Sequence, residues 1–294
     1  MTASRAGLLR QGILYAIAIF ASLLFMAPFL FALGTSVKPI PLLHQIPPVF
    51  FPPLDQMQPS NYVRVFTIPN IPFAAWYYNT IAITVMSLVG AVMSSTISAY
   101  GFARFRWPLR DFFFGVLLAT LVLPEEVVLI PKFLMFHLVP DYLFGQTWID
   151  TWRPLIIPSW FGGSAFSVFL LRQFFLQIPR EFDEAAVLDG ANSWDILWRI
   201  LLPLAKPAMA TVAIFAFLAT WNDFIHPLIF LNSPAKYPLS VGLRWFVQQP
   251  TDPTEPRDNL LMAASILMLT PALVLFFSMQ RYFVRGIVMS GIKG

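Results

Sequence analysis

The 294-residue sequence has no cysteine, three histidines and a charged fraction of only 12%. Without cysteine there are no disulfides, no thiolate metal sites and no thiol nucleophile. His44, His137 and His226 are scattered too widely along the chain to suggest a metal site. No glycine is followed by lysine, so the Gly-x4-Gly-Lys-Ser/Thr loop that cradles nucleotide phosphates is missing. Nucleophile elbows and metal-ligand spacings are equally lacking, which leaves little for an enzyme to work with. The scarcity of charge is itself informative, because an ordinary soluble domain carries roughly 25%.

What is abundant is apolar surface. Hydrophobic residues make up 57% of the chain, and the mean hydropathy is +0.69. A water-soluble globule of this composition would expose large apolar patches, so the sequence reads as an integral membrane protein. The formal charge is +4, but in membrane proteins basic residues report orientation, and no nucleic-acid partner is expected.

A hydrocarbon core about 30 Å thick takes about 20 apolar helical residues to cross. Six windows qualify, at about 12–34, 79–103, 112–136, 155–178, 207–231 and 260–283. The first is longer than a signal-peptide core and is followed by no small-x-small cleavage site, so it is expected to remain as an anchor. Six spans put both termini on one side. That side would hold Arg5, Arg10, Arg104, Arg106, Arg110, Arg172, Arg180, Arg199, Lys206, Arg281, Arg285 and Lys293. Lys38, Arg64, Lys132, Arg153, Lys236, Arg244 and Arg257 would lie on the other, within longer loops. Twelve against seven predicts cytoplasmic termini. Residues 1–34 then form a tail and first span, and 35–78 an extracytoplasmic loop stiffened by its prolines. The transmembrane core is 79–283, and 284–294 a cytoplasmic tail.

The connection between the fourth and fifth windows is the most structured. Glu181, Asp183 and Glu184 follow Pro179, as at a helix start where carboxylates meet the positive end of the dipole. Gly190 suits a left-handed stop. Ser193 is the expected cap of a second helix, with Asp195 in its first turn and Trp194, Leu197, Trp198 and Leu201 on one face, closed by Pro203 and Pro207. Two short helices with small Ala185 and Ala186 make a knob that another protein's cleft could grip.

Glu184-Ala185-Ala186, Asp189-Gly190-Ala191, Ile200-Leu201-Leu202-Pro203 and Pro207 closely resemble the EAA loop of permease subunits in binding-protein-dependent ABC importers. Asn79-Thr80, Ala99-Tyr100-Gly101-Phe102-Ala103-Arg104, Trp221-Asn222-Asp223-Phe224 and the ending Tyr282-Phe283-Val284-Arg285-Gly286 with Lys293-Gly294 are similar to the carbohydrate branch, the MalG-like type of smaller sugar-importer permease. The resemblance implies an all-α, six-helix polytopic protein of the type I ABC importer permease fold in the cytoplasmic (inner) membrane of a prokaryote. It implies no catalytic residue, metal or cofactor on this chain, with ATP and Mg held by two cytoplasmic ATPase subunits. The other implied partners are a second permease in a heterodimer, an extracytoplasmic solute-binding protein and a sugar. Glu184, Ala185, Ala186, Asp189, Gly190, Ala191, Ile200 and Pro203 would form the ATPase-coupling surface, and the tail from Arg285 could reach the ATPase as well.

Polar residues inside the apolar windows are expected to face protein or water, since a carboxylate in hydrocarbon costs about 2.5–3.5 kcal/mol or more. Glu125 and Glu126, midway through the third window, and Trp221, Asn222, Asp223 and His226 are therefore candidates for the solute path, with helix-to-helix pairing, for instance to Lys132, as the competing role. Gly90, Gly101, Gly162 and Gly163 mark expected close helix approaches. A polyamine or other polar-solute importer is an alternative. A proton-coupled transporter using the membrane acids is another, but it leaves the 179–206 knob without a purpose.

Overall fold

The computed structural model describes the backbone of residues 5–249 and 256–291, and the side chains of 11–249 and 256–279. The charges at Arg5 and Arg10 and the tail from Arg285 to Gly294 lie outside the described side chains. Among the described residues all regular structure is helical. The principal helices are α1 (Arg5–Ser36), α2 (Phe73–Arg104), α3 (Arg110–Ala119), α4 (Glu125–Phe144), α5 (Ala165–Gln177), α6 (Glu181–Leu188), α7 (Leu202–Trp221), α8 (Ile225–Phe230), α9 (Leu239–Gln248) and α10 (Asp258–Gly291). Among the described residues five helices are long and apolar enough to cross a membrane, or six if a bent pair is counted as one span.

The chain divides into two compact units, Met1–Ile71 with Leu243–Pro271, and Pro72–Gly242 with Ala272–Gly294. In the first, the apolar window of α1 has none of its residues buried, and its length and composition suit hydrocarbon. The polar end of α1 is tied down locally. Asn61 Nδ2 donates to the carbonyls of Ser36 and Lys38 at 3.0 and 3.1 Å, and Asn259 Nδ2 donates to the Lys38 carbonyl at 2.9 Å. The Lys38 ammonium sits 4.9 Å from the centre of the Phe31 ring and is almost wholly buried; that burial lowers its pKa below the ordinary lysine value.

The second unit is built on α2, which packs against α5 and α7. Ala99 and Ala103, fully buried, let the neighbouring backbones come close, while Val168, Leu171, Phe175, Leu197, Leu201 and Val212 fill the shared core. Of the four glycines expected at close approaches, two are. A Cβ on Gly90 would lie 2.5 Å from the Trp160 indole, and one on Gly163 would strike the Ser95 hydroxyl. Gly101 and Gly162 have open space where a Cβ would be. Gly242 in α9 lies against the fully buried ring of Trp76. Gly242→Ala is expected to cost about 1–3 kcal/mol through overpacking, read as a lower melting temperature of the detergent-solubilised protein; an unchanged temperature would contradict this packing.

The windows expected as single spans are not all single helices. The third is broken after α3 by a tight turn at Thr120–Val122 and extended Leu123, and the helix long and apolar enough to span is instead α4, twenty residues from Glu125. Pro124 disfavours helical backbone at Leu123 and serves as the cap of α4. The fourth is interrupted around Gly162 and Gly163, both with positive φ. The fifth stops at Trp221 and resumes at Ile225.

Candidate functional site

The 179–206 segment begins as expected. Glu181, Asp183 and Glu184 occupy the first turn of α6. Gly190 has φ 83°, a conformation open to glycine at no steric cost, and its N–H bonds the Val187 carbonyl at 3.0 Å. Beyond it the structure departs from the expectation. The cap is Asn192, not Ser193: Asn192 Oδ1 accepts from the N–H groups of Trp194 and Asp195, and the Asp195 carboxylate accepts from the Asn192 N–H at 3.3 Å. Residues Ile196–Leu201 form a wider π-helical turn. Leu197 and Leu201 therefore point into the core, fully buried, while Trp194 and Trp198 stand outside, so the four do not share one face. Pro203 and Pro207 flank a sharp bend of 81° between Ser193–Leu204 and Lys206–Trp221, where the short helix turns into the next apolar one.

Of the coupling-surface candidates, Glu184, Ala185, Asp189 and Gly190 are exposed and Ala191 and Ile200 half-buried. Ala186 is buried in the chain's own core, so its small side chain fits α6 against the bundle. Pro203 is exposed at the start of α7. Phe182, Val187 and Leu188 add apolar surface beside Ala185, and Trp194 and Trp198 extend it.

The broken spans place a second polar group. Glu125 and Glu126 sit in the first turn of α4, where the helix dipole favours carboxylates, not in mid-helix. Glu125 Oε1 lies 3.4 Å from His226 Nε2 and 3.8 Å from Lys132 Nζ. His226 Nδ1 is 3.1 Å from each carboxylate oxygen of Asp223, and the His226 N–H donates to Asp223 Oδ1 at 3.3 Å. Glu125, Lys132, Asp223 and His226 thus form one chain of polar contacts, two carboxylates, an ammonium and an imidazole, that joins the start of α4 to the break between α7 and α8. Glu126 is exposed beside it. Trp221 is turned inward, stacked on Phe217 with ring centres 5.2 Å apart, which withholds its indole face from a solute. The Asn222 amide donates to the Leu218 carbonyl of its own helix at 2.8 Å. The nearby cavity bordered by Thr80, Thr84, Thr220 and Asp223 is about 50 Å³, space for water and not for a sugar ring.

A third cluster has no counterpart in the sequence reading. Asp150, at φ 58°, accepts at one carboxylate oxygen from the N–H groups of Asn232 and Ser233, both at 2.9 Å. Its other oxygen accepts from Ser233 Oγ at 2.6 Å and Lys236 Nζ at 2.7 Å. Asp150 is desolvated, but these donors outweigh the desolvation and hold its carboxyl far below the usual carboxylate range. Asp150 and Lys236 also border an open cleft of about 570 Å³ with Gln146, Thr147, Trp152 and Arg153. The signal that could have found it is an Asp and a Lys in two separate loops, a pattern too common to single out.

Among known proteins, the binding-protein-dependent transport system inner membrane component family matches residues 88–289. The chain is 30% identical over 235 residues to the arabinooligosaccharides transport system permease protein AraQ of Halalkalibacterium halodurans, covering 80% of this chain and 79% of that one. It is 34% identical over 221 residues to the sn-glycerol-3-phosphate transport system permease protein UgpE of Yersinia enterocolitica, covering 75% of each. In three dimensions it resembles a chain of a bacterial ABC transporter involved in the import of the acidic polysaccharide alginate, with TM-score 0.82, 25% identity and coverage of 96% of this chain and 99% of that one. An all-α bundle of apolar helices, a structured loop between α5 and α7 and a family match over most of the length agree: the chain belongs to the inner-membrane permease components of binding-protein-dependent ABC importers.

Proposed function

We propose that this permease imports a sugar or oligosaccharide, as half of a heterodimer with a second permease, across a prokaryotic cytoplasmic membrane with both termini inside. Two cytoplasmic ATPase subunits carry ATP and Mg and grip the 179–206 knob through Glu184, Ala185, Asp189 and Gly190. An extracytoplasmic binding protein delivers the solute. The observation that carries this reading is the loop itself: a short helix stopped by Gly190, backed by the bundle through Ala186 and presenting Glu184, Ala185, Val187 and Leu188 outward. The relatives' names, one an arabinooligosaccharide and one a glycerol-phosphate permease, support the carbohydrate class without selecting a solute.

No bond is made or broken on this chain in this scheme. Its chemistry is solvation: the group of Glu125, Lys132, Asp223 and His226 supplies acceptors and donors to solute hydroxyls at a break between helices. The test is purification of the tagged chain from its native membrane in mild detergent. A second permease and a P-loop ATPase are expected to co-purify; a lone chain that transports on a proton gradient without ATP would overturn the reading. In the purified importer, Glu125→Gln and Asp223→Asn are each expected to lower uptake of the sugar held by the co-purified binding protein, by a factor of about ten if one charged hydrogen bond to solute is lost. Undiminished uptake in both would remove this group from the path.

A further inference from the structure

Helix α2 is held at both ends by contacts that transport as described leaves without a purpose. At one end stands Arg104, whose side chain is 5% exposed. Its Nε lies 3.1 Å from Oδ2 of Asp183 in α6, and its Nη2 donates to the Ile178 carbonyl at 3.0 Å. One turn earlier, the Tyr100 hydroxyl donates to the Ser193 carbonyl at 2.9 Å. Both arms of the 179–206 loop are thereby tied to the last two turns of α2. At the far end, Asn79 Nδ2 donates to the carbonyls of Ala235 and Tyr237, both at 2.9 Å. Trp76 Nε1 donates to the Pro234 carbonyl, and the Leu239 N–H donates to Thr80 Oγ1, both at 2.7 Å.

α2 is unbroken over its whole 32 residues, and the stretch between these two sets of ties, from Thr80 to Tyr100, is about 30 Å long. The stretches around it are interrupted, at 120–124, at 162–163 and at 222–224. An unbroken helix passes on a displacement with little bending, whereas a broken one absorbs it at the break. The guanidinium donates one hydrogen bond, from Nη2 to the Ile178 carbonyl, and holds the Asp183 carboxylate by charge, as an ion pair at 3.1 Å in a largely buried setting. The surroundings are dry enough that burial raises the Asp183 pKa above the ordinary aspartate value, in spite of Arg104 and Arg180 nearby. Removing Arg104 would leave that carboxylate unpaired as well as breaking a contact.

We propose that Arg104 and Asp183 form a positioning latch that locks the ATPase-facing loop to α2, so that a displacement of the loop moves α2 as a rod and reaches the 234–239 segment at its far end. The inference rests on the coupling role given above to the 179–206 loop. Neither residue touches solute; both act through the helices they join.

Because this chain lacks cysteine, Glu181→Cys in α6 and Tyr78→Cys near the far end of α2, both exposed, are its only labelled sites, and the partner subunits are used with their cysteines replaced. In the complete reconstituted importer, the distance between the labels is measured without nucleotide and after trapping with ATP and vanadate. With the latch intact, one unchanged distance is expected in both states. Arg104→Ala is expected to shift or broaden it between states. The same variant should reduce stimulation of ATP hydrolysis by the binding protein at least about fivefold, with ATPase subunits still bound at native stoichiometry. Arg104→Asp combined with Asp183→Arg restores the charge pair and is expected to recover part of the stimulation, the Ile178 carbonyl remaining without its donor. If Arg104→Ala does not assemble, Asp183→Asn, which keeps the shape and loses the charge, is read in the same way. An unchanged distance with full stimulation in the single variants would overturn the latch, as would a loss that the reversed pair does not recover at all. Absence of stimulated hydrolysis in the unaltered complex would instead overturn the coupling reading, so the two failures are distinguishable.

Discussion

Gly190→Pro is expected to abolish uptake while leaving membrane insertion intact. The native residue has φ 83°, and its N–H is bonded to the Val187 carbonyl. Proline fixes φ near −65° and has no N–H, so it can adopt neither the backbone conformation nor the hydrogen bond of Gly190, and the stop after α6 must rebuild. The strain falls on an exposed turn that is open around the residue, not on the core beneath it. The loop is then presented in the wrong geometry by a bundle that remains folded. Glu184→Lys separates the roles more finely, since an exposed side chain on α6 can change charge at a cost within about 0.5 kcal/mol to the chain's own stability. It is expected to weaken ATPase binding and uptake together, without lowering the melting temperature. Measurement is of ATPase co-purification and of uptake in proteoliposomes; normal values of both in the two variants would remove the coupling role from this loop.

Asp150→Ala is expected to destabilise the second unit by about 1–2 kcal/mol, since the carboxylate accepts several hydrogen bonds but the pair with Lys236 is partly exposed and screened. The carboxylate gathers two N–H groups, a hydroxyl and an ammonium from the 232–236 segment; its loss frees the first three, while the ammonium keeps the Asp150 backbone carbonyl. The same site gives a pH dependence of known sign. The Asp150 pKa is depressed on folding, so its contribution is fully present above the unfolded value near 4. It is lost as pH falls below that value toward the lower folded one. The native protein should therefore lose melting temperature between about pH 4 and more acid conditions by more than Asp150→Ala does. Parallel pH profiles for the two would contradict the assignment.

Leu121, Val122 and Leu123 are as apolar as the helices on either side, so composition runs through the break and the window reads as one span. What ends the helix is local, Pro124 acting on the backbone before it, and what makes the break tolerable is not: backbone groups freed inside a membrane must find partners in the protein. The position of Glu125 at a helix start, where it meets His226 about a hundred residues later, follows from that and could not be read from hydropathy. The second arm of the loop failed for a related reason. Trp194, Leu197, Trp198 and Leu201 share a face at 3.6 residues per turn, but the π-helical turn at 196–201 changes the period, and only the two leucines face the core.

The sequence by itself determined the solvent of this protein, the number of its apolar crossings to within one, and the family through the ordered loop motif. Each of these is local: hydropathy over about 20 residues, acidic residues ahead of a helix, a glycine where φ must be positive. The tertiary structure alone decided which polar residues meet. Arg104 finds Asp183, Asp150 finds Lys236, and Glu125 finds His226 across stretches whose closure no local preference encodes. These pairings arise because groups that hydrocarbon will not solvate must be satisfied by whatever the packed helices bring within reach, and packing is a property of the whole chain.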